Sequence, residues 1–177
     1  MVVISGPSGS GKTSVVKALK ADPNIEFSVS ATTRARRPGE QDGVDYHFLT
    51  HAEFMAKVAA GEFLEWAEYN GRCYGTLRAP MQRALEQGRI FLLEIEVQGT
   101  RQLREGGVPG LYVFLAPPSL EELRRRLLAR GTDGAEEVER RVAIAAEEMR
   151  HQDLYDHVIV NVDLADTIAR VRALLRS

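Results

Sequence analysis

The chain has a single cysteine, no long hydrophobic run and almost no net charge. One thiol, Cys73, excludes an intrachain disulfide and is consistent with a reducing compartment. The formal net charge of −2 arises from 23 basic and 25 acidic residues, so no general attraction to nucleic acid or a membrane is expected. No apolar run approaches the length of a bilayer span, and no charged leader precedes the first apolar run. We therefore expect a cytoplasmic protein with no nucleic-acid, membrane or obligate protein partner.

Internal repeats, low-complexity tracts and long linkers are also missing, and 177 residues fit one compact domain. The histidines and Cys73 lack the spacing of a zinc site. Strand-like apolar runs occur at Val2–Ile4, Ile90–Leu93, Leu111–Leu115 and Val158–Val160. Segments with helical periodicity lie at Gln82–Gln87, Leu120–Leu128, Glu136–Arg150 and Asp166–Leu175. This alternation predicts an α/β fold with a parallel sheet flanked by helices.

Two segments depart from that alternation. Between residues 28 and 76, short alternating runs are separated by glycines, which predicts a small, mostly β insertion. The stretch 130–134 is polar and glycine-containing and lies between two charged helical segments. It is interpreted as a hinged lid, with a plain surface loop as the alternative.

A complete GxxxxGK(S/T) phosphate-binding loop follows the first apolar run: Gly6, Pro7, Ser8, Gly9, Ser10, Gly11, Lys12 and Thr13. The glycines let successive backbone N–H groups point at phosphate oxygens, where larger residues would block the approach. Lys12 supplies a charge for the outer phosphates, and the Thr13 hydroxyl is placed to ligate Mg²⁺. The order strand, loop, helix predicts a site for a nucleoside triphosphate.

An arginine cluster in the insertion predicts a second phosphate site. Three arginines fall within four residues, at positions 34, 36 and 37, and Tyr46, Tyr74 and Thr76 add phenols and a hydroxyl nearby in the sequence. Planar guanidinium groups suit a phosphate. A solvated charged face is the alternative, but such a face typically alternates Lys with Glu rather than combining Arg with Ser, Thr, Gly and Tyr.

These residues resemble the guanylate kinase family, and the resemblance runs through nearly the whole chain. Beyond the phosphate-binding loop, the matching patterns are Thr32-Thr33-Arg34-x-x-Arg37-x-Gly39-Glu40-x-x-Gly43-x-Asp45-Tyr46-x-Phe48, Glu62 to Ala67, Tyr74-Gly75, Gln98-Gly99, Arg130 to Asp133, Glu148-Met149 and Tyr155-Asp156-x-Val158-Ile159-Val160-Asn161. The resemblance implies a P-loop nucleoside monophosphate kinase fold with a small mixed α/β GMP-binding insertion and a lid. The implied core spans 1–29, 84–129 and 142–177, with the GMP-binding lobe at about 30–83 and the lid at about 130–141.

The family pattern implies a role for individual residues on the acceptor side. By resemblance, the GMP-binding residues are Ser30, Arg34, Arg37, Tyr46, Glu65, Tyr74, Thr76 and Glu94. Glu65 would accept hydrogen bonds from N1–H and the exocyclic amine of guanine, a donor pair that adenine does not present. Thr76 stands where the family commonly has Ser, and its hydroxyl can still donate to the guanine O6. A surface carboxylate on an edge strand is the alternative interpretation of Glu65.

On the donor side, the resemblance implies that Lys12, Arg130 and Arg141 are catalytic, together with Arg34 on the acceptor side. Asn161 resembles an adenine-contacting position, although Asn at a strand end is also common in turns. Glu94 and Glu96 stand where the family usually carries aspartates, and their alternation predicts both carboxylates on one face at the end of a core strand, near Mg²⁺ and GMP. Contact with the metal, direct or through water, stays open.

The resemblance thus implies transfer of the γ-phosphoryl group from MgATP to GMP, and to dGMP, by direct in-line displacement. Two alternatives stay open at this point. One is a kinase for another small phosphorylated acceptor on the same scaffold. The other is a phosphopeptide-binding module on a guanylate-kinase-like domain that has lost catalysis.

Overall fold

The computed structural model of the chain describes residues 1–69, 71–131 and 134–176. In chain order, its strands are β1 Val2–Ser5, β2 Ile25–Phe27, β3 Ala31–Thr32, β4 His47–Phe48, β5 Phe63–Tyr69, β6 Arg72–Leu77, β7 Ile90–Glu94, β8 Leu111–Ala116 and β9 His157–Val160. Its helices are α1 Lys12–Leu19, α2 His51–Ala59, α3 Arg78–Glu86, α4 Val97–Glu105, α5 Leu120–Arg130, α6 Ala135–Glu148 and α7 Leu164–Leu174, with a 3₁₀ segment over Met149–Leu154. Within these described ranges, no helix is long and apolar enough to cross a membrane.

The main sheet has the order β2-β7-β1-β8-β9, and its neighbouring strands pair in parallel. Side chains of successive strand residues point to opposite faces, so both faces of the central strands are buried. One face packs against α1 and α7 through Val15, Leu19 and Val171. The other face packs against α3 and α4 through Ala84 and Leu103. The predicted parallel sheet flanked by helices is confirmed.

The segment between β2 and α3 forms a second sheet with the order β4-β3-β6-β5. Its strands β6 and β5 are antiparallel to their neighbours, whereas β3 and β4 are parallel. The helix α2 covers this sheet and buries Phe54 completely against Phe63. The residue pattern alone, interpreted as mostly β, missed this helix, whereas the mixed α/β insertion that the family resemblance implies is confirmed.

Several sequence-based boundaries were wrong for local reasons. The predicted helix over residues 136–150 ends at Glu148, where a 3₁₀ segment takes over. The helix α3 begins at Arg78, four residues before the predicted start at Gln82. Pro80 is tolerated because it lies in the first turn of the helix, where its missing N–H breaks no helical hydrogen bond. The helix α4 was not predicted, since it contains Gly99 and few apolar residues.

A capping box starts α2. Thr50 Oγ1 accepts a hydrogen bond from the Glu53 N–H at 3.2 Å, and the Glu53 carboxylate accepts one from the Thr50 N–H at 2.7 Å. Two backbone donors at the helix start are thereby satisfied.

We expect Thr50→Ala to lower the free energy of unfolding by about 1 kcal/mol, because the Glu53 N–H loses its acceptor. Urea unfolding followed by circular dichroism measures the change. Thr50→Ser is the matched control, since it keeps the hydroxyl and should retain most of the stability. Equal stability of the Ala variant and the unmodified chain would contradict the role of this cap.

Candidate active site

The phosphate-binding loop joins β1 to α1 and contains three glycines with positive φ: Gly6 at 139°, Gly9 at 91° and Gly11 at 99°. A Cβ on Gly6 would lie 2.2 Å from the carbonyl oxygen of Leu115, and one on Gly11 would lie 2.2 Å from Nδ2 of Asn161. Both the backbone conformation and the packing therefore require glycine at these two positions.

The Lys12 ammonium group lies at the mouth of this loop. Its Nζ donates to the carbonyl oxygens of Gly6 and Pro7, the latter at 3.2 Å, and lies 3.8 Å from Oε1 of Glu96. The side chain is 7% exposed, so its charge acts with little screening by water. A phosphate entering here would take the place of the two carbonyl acceptors.

A cavity of about 150 Å³ opens between the loop and the carboxyl end of β7. Lys12 and Thr13 line one side, and Glu94 and Glu96 line the other. The Thr13 hydroxyl donates to Oε1 of Glu94 at 3.0 Å. Both carboxylates face the cavity, but the predicted reason, strand alternation, is wrong. The strand β7 ends at Glu94, and Glu96 is the N-cap of α4.

The donor atoms around this cavity fit Mg²⁺. A hydroxyl and two carboxylates offer the oxygen ligands that this ion prefers, and nucleotide phosphates supply further ligands when they bind. In the described residues, no three His, Cys, Asp or Glu side chains form a cage for a metal ion. The donor set is therefore suited to a metal that arrives with a nucleotide.

Glu148 is a further carboxyl group that the sequence interpretation did not assign, and it lies beside Glu96. Burial, the neighbouring Glu96 carboxylate and a hydrogen bond with it raise the pKa of Glu148 to about 7, although the Lys12 charge opposes the rise. The sequence contained one signal for this residue, the Glu148-Met149 pattern. That Glu148 lies beside Glu96 depends on tertiary packing, which the pattern does not show.

Asn161 follows β9 and is fixed by hydrogen bonds within the protein. Its Nδ2 donates to the Ser10 carbonyl oxygen at 2.7 Å, and its Oδ1 accepts from the Thr167 hydroxyl at 3.0 Å. The side chain thereby ties the phosphate-binding loop to α7. Its contact with adenine stays a prediction.

In the insertion, the structure brings Arg34, Tyr46 and Tyr74 together. The Arg34 guanidinium lies 5.3 Å from the Tyr46 ring centroid, and the two tyrosine rings are 6.2 Å apart. Arg34 forms a two-pronged ion pair with Glu40, at 2.7 and 3.0 Å. Glu40 also accepts from the backbone N–H of Arg37 at 2.7 Å, whereas the Arg37 side chain is exposed.

Glu40 is a second acidic residue that the sequence interpretation did not assign to the site. Its hydrogen bond with Arg34, followed by that with the Arg37 N–H, holds the pKa of the Glu40 carboxyl below its ordinary value. Glu40 therefore stays ionised and fixes the turn that carries both arginines. Its place within the family pattern was the available signal.

Glu65 and Thr76 face each other across β5 and β6. Glu65 is 7% exposed, and burial raises the pKa of its carboxyl, an effect that neighbouring polar groups of Thr76 partly oppose. The Thr76 hydroxyl is fully buried. It lies close enough to the Glu65 carboxyl to oppose the rise of that pKa, but it makes no hydrogen bond of ordinary geometry with any described residue. Ser30 is half-buried just before β3, the strand next to β6. A buried hydroxyl without a well-formed hydrogen bond, next to a buried carboxyl, favours a polar ligand at this place.

The helix α5, which is paired with α6, packs directly on the phosphate-binding loop. Leu123 and Leu127 of α5 form a buried cluster with α6, and a Cβ on Gly9 would lie 2.8 Å from Cδ1 of Leu123. Arg141 lies on α6, half-buried, with Nε 3.4 Å from Oε1 of Glu137. The Arg130 side chain lies outside the described part of the chain, so its catalytic role stays a prediction.

Comparison with known proteins identifies one family. Its sequence model, described as guanylate kinase, matches residues 1–177. A guanylate kinase from Symbiobacterium thermophilum is 48% identical over 176 residues, which cover 99% of this chain and 83% of that protein. One from Alkalilimnicola ehrlichii is 52% identical over 176 residues, covering 98% and 86%. The crystal structure of guanylate kinase from Anaplasma phagocytophilum is similar with a TM-score of 0.78 and 37% identity, covering 99% of this chain and 84% of that one.

We expect Gly11→Ala to abolish ATP binding, because the added Cβ would clash with Asn161 and force the loop out of its conformation. Titration calorimetry with MgATP measures the loss. Gly61→Ala is the matched control, since Gly61 also has a positive φ, 68°, but has open space around it. It should lower stability by about 1–2 kcal/mol and leave ATP affinity unchanged. Normal ATP affinity of a folded Gly11→Ala variant would contradict the assigned loop geometry.

Proposed function

This chain belongs to the guanylate kinase family, and we propose that it transfers the γ-phosphoryl group of MgATP to GMP or dGMP by direct in-line displacement. It is an ATP:GMP phosphotransferase, as the family match and the curated relatives show. The observation that supports the choice of acceptor is the buried carboxyl of Glu65 opposite the unpartnered hydroxyl of Thr76 within the described residues. A phosphopeptide-binding module is not favoured, because relatives covering nearly the whole chain are kinases.

On the acceptor side, Glu65 would accept hydrogen bonds from N1–H and the exocyclic amine of guanine. Thr76 would donate to O6, with Ser30 close by. Adenine presents no matching pair of donors, so it would leave a desolvated carboxylate without partners, which is strongly unfavourable. Arg34, Tyr46 and Tyr74, joined by Arg37, would hold the GMP phosphate and aim its oxygen at the donor. Glu94 would lie beside GMP and the metal without contacting the phosphate, because two negative charges repel each other.

On the donor side, the loop backbone from Gly6 to Thr13 would bind the ATP phosphates, and Asn161 would border the adenine. Lys12 would exchange its two carbonyl acceptors for oxygens of the transferred phosphoryl group. Arg141 and Arg130 would approach the same group from the lid and stabilise the charge that spreads over its equatorial oxygens. The acceptor oxygen is already anionic, so no nucleophilic side chain is required.

Mg²⁺, when bound with ATP, would neutralise phosphate charge and orient the transferred group. Thr13 would ligate it, and Glu94 and Glu96 would reach it directly or through water.

Closing the lobe of residues 30–83 and the lid of residues 130–141 over both nucleotides would exclude water and prevent ATP hydrolysis. We place the enzyme in the cytoplasm, where both nucleotides occur and where Cys73 would stay a buried thiol.

We expect Lys12→Ala to lower kcat for GDP formation by about 10²–10³-fold, because the transition state loses a poorly solvated cation. Product analysis by chromatography measures it. Lys17→Ala is the matched control, since Lys17 is exposed on the same helix and should keep the activity of the unmodified chain. Near-normal turnover by Lys12→Ala would remove Lys12 from the reaction.

We expect Glu65→Gln to lower the preference for GMP over AMP by about 10²-fold or more. The Gln side chain has an NH₂ group in place of one carboxylate oxygen, so it cannot accept hydrogen bonds from both N1–H and the exocyclic amine of guanine. Ratios of kcat/KM for the two acceptors measure it. Glu68→Gln is the matched control, since Glu68 is exposed on the same strand and should leave the ratio unchanged.

The pH dependence of the same variants gives a second readout. Glu65 must be ionised to accept both hydrogen bonds, and burial raises its pKa, so KM for GMP in the unmodified chain should rise as pH falls through that raised pKa. The rise should begin at a higher pH than for an ordinary carboxyl and should be missing in Glu65→Gln. The same acidic rise in both proteins would assign the titration to another group.

A further inference from the structure

Gln102 of α4 makes two hydrogen bonds with the backbone of β5. Its Nε2 donates to the Trp66 carbonyl oxygen at 2.8 Å, and its Oε1 accepts from the Trp66 N–H at 3.1 Å. β5 is the edge strand of its sheet, so these two groups point away from β6. One side-chain amide therefore takes the place that a further strand would occupy.

A bulge makes the direction of Glu65 depend on this anchor. Phe63 pairs with Leu77 and Glu65 with Thr76, so Leu64 is an extra residue in β5. The bulge breaks the alternation of the strand: Phe63 and Trp66 are three residues apart but both pack in the core of the insertion, whereas Leu64 packs in the core of the main sheet. Bulges re-aim the side chains beside them, and Gln102 holds the residue that directly follows Glu65.

Gly99 touches the carboxylate of Glu65 from the same helix. A Cβ at Gly99 would lie 2.7 Å from Oε2 of Glu65. Gly99 is buried inside α4, where glycine is unfavourable for the helix, and the space that it leaves is filled by the carboxylate. Gly99 and Gln102 are three residues apart and lie on one face of the helix.

We propose that Gln102 and Gly99 are positioning residues that orient Glu65 and thereby set the preference of this enzyme for guanine over hypoxanthine. The proposal rests on the proposed function, in which Glu65 binds the base. GMP engages both carboxylate oxygens, through N1–H and the exocyclic amine. Inosine monophosphate lacks that amine and engages one oxygen, so a rotated carboxylate weakens GMP more than inosine monophosphate.

Gln102→Met tests the anchor, because Met has nearly the same size and removes both hydrogen bonds. KM for GMP should rise about tenfold with kcat changed less than about twofold, and the GMP to inosine monophosphate ratio of kcat/KM should fall about fivefold. KM for ATP should stay unchanged. Gln87→Met is the matched control, since Gln87 is exposed at the end of α3, and it should behave like the unmodified chain.

Gly99→Ala tests the space beside the carboxylate without removing the anchor. Alanine favours the helix, so this variant should fold even if Gln102→Met does not. The same fall in the ratio is expected, because the added Cβ displaces Glu65. The chain has one tryptophan, Trp66, so its fluorescence change on GMP addition should differ between Gln102→Met and the unmodified chain.

The outcomes separate the two proposals. If the unmodified chain makes GDP, and folded Gln102→Met and Gly99→Ala both keep its KM for GMP and its acceptor ratio, the positioning role is wrong and the kinase function stands. If Gln102→Met does not fold, an unchanged ratio in Gly99→Ala overturns the positioning role by itself. If the unmodified chain makes neither GDP nor inosine diphosphate, the proposed function fails and this inference fails with it.

Discussion

The phosphate-binding loop is the constraint around which the core is arranged, because its backbone conformation and packing leave no room for a side chain at three of its positions. Each of its three glycines meets a different element: Gly6 the carbonyl oxygen of Leu115 in β8, Gly9 the side chain of Leu123 in α5, and Gly11 the amide of Asn161 after β9. The loop is thus fixed by the main sheet, by α5 and by the residue that follows the last strand. A loop held in this way keeps one backbone conformation, and a fixed conformation is the condition for electrostatic catalysis by backbone N–H groups.

The proposed acceptor site depends on a different kind of constraint, a buried carboxyl paired across two strands with a buried hydroxyl that makes no well-formed hydrogen bond within the described residues. Glu65 is a buried carboxyl with a raised pKa, and the hydroxyl of Thr76 has no partner in the described chain. Such an arrangement is unfavourable for folding, and a base with complementary donors and acceptors relieves it. Selectivity then follows from the penalty for a base that does not match, provided that Gln102 and Gly99 hold the carboxylate in place.

The sequence predicted the features that are local in the chain. The run Leu111–Leu115 indicated a strand buried on both faces, and the spacing of the phosphate-binding loop indicated its conformation and partner. Two short elements gave no clear signal: β2 has three residues, and α4 combines Gly99 with mostly polar side chains. The bulge at Leu64, the pairing of Arg34 with Glu40 and the contact of α4 with β5 depend on tertiary packing, so no periodicity could show them. Family resemblance placed Glu65 at the base, but only the fold explains how it is aimed.

The most direct test of the account is the formation of nucleoside diphosphate by the unmodified chain with MgATP and one acceptor at a time: GMP, dGMP, AMP, UMP, CMP or none, with each product identified by chromatography. The account predicts rapid formation of GDP and dGDP, little product from AMP, UMP or CMP, and little ADP without an acceptor. ADP formation that does not depend on an acceptor, or preferred turnover of a monophosphate other than GMP and dGMP, would contradict it.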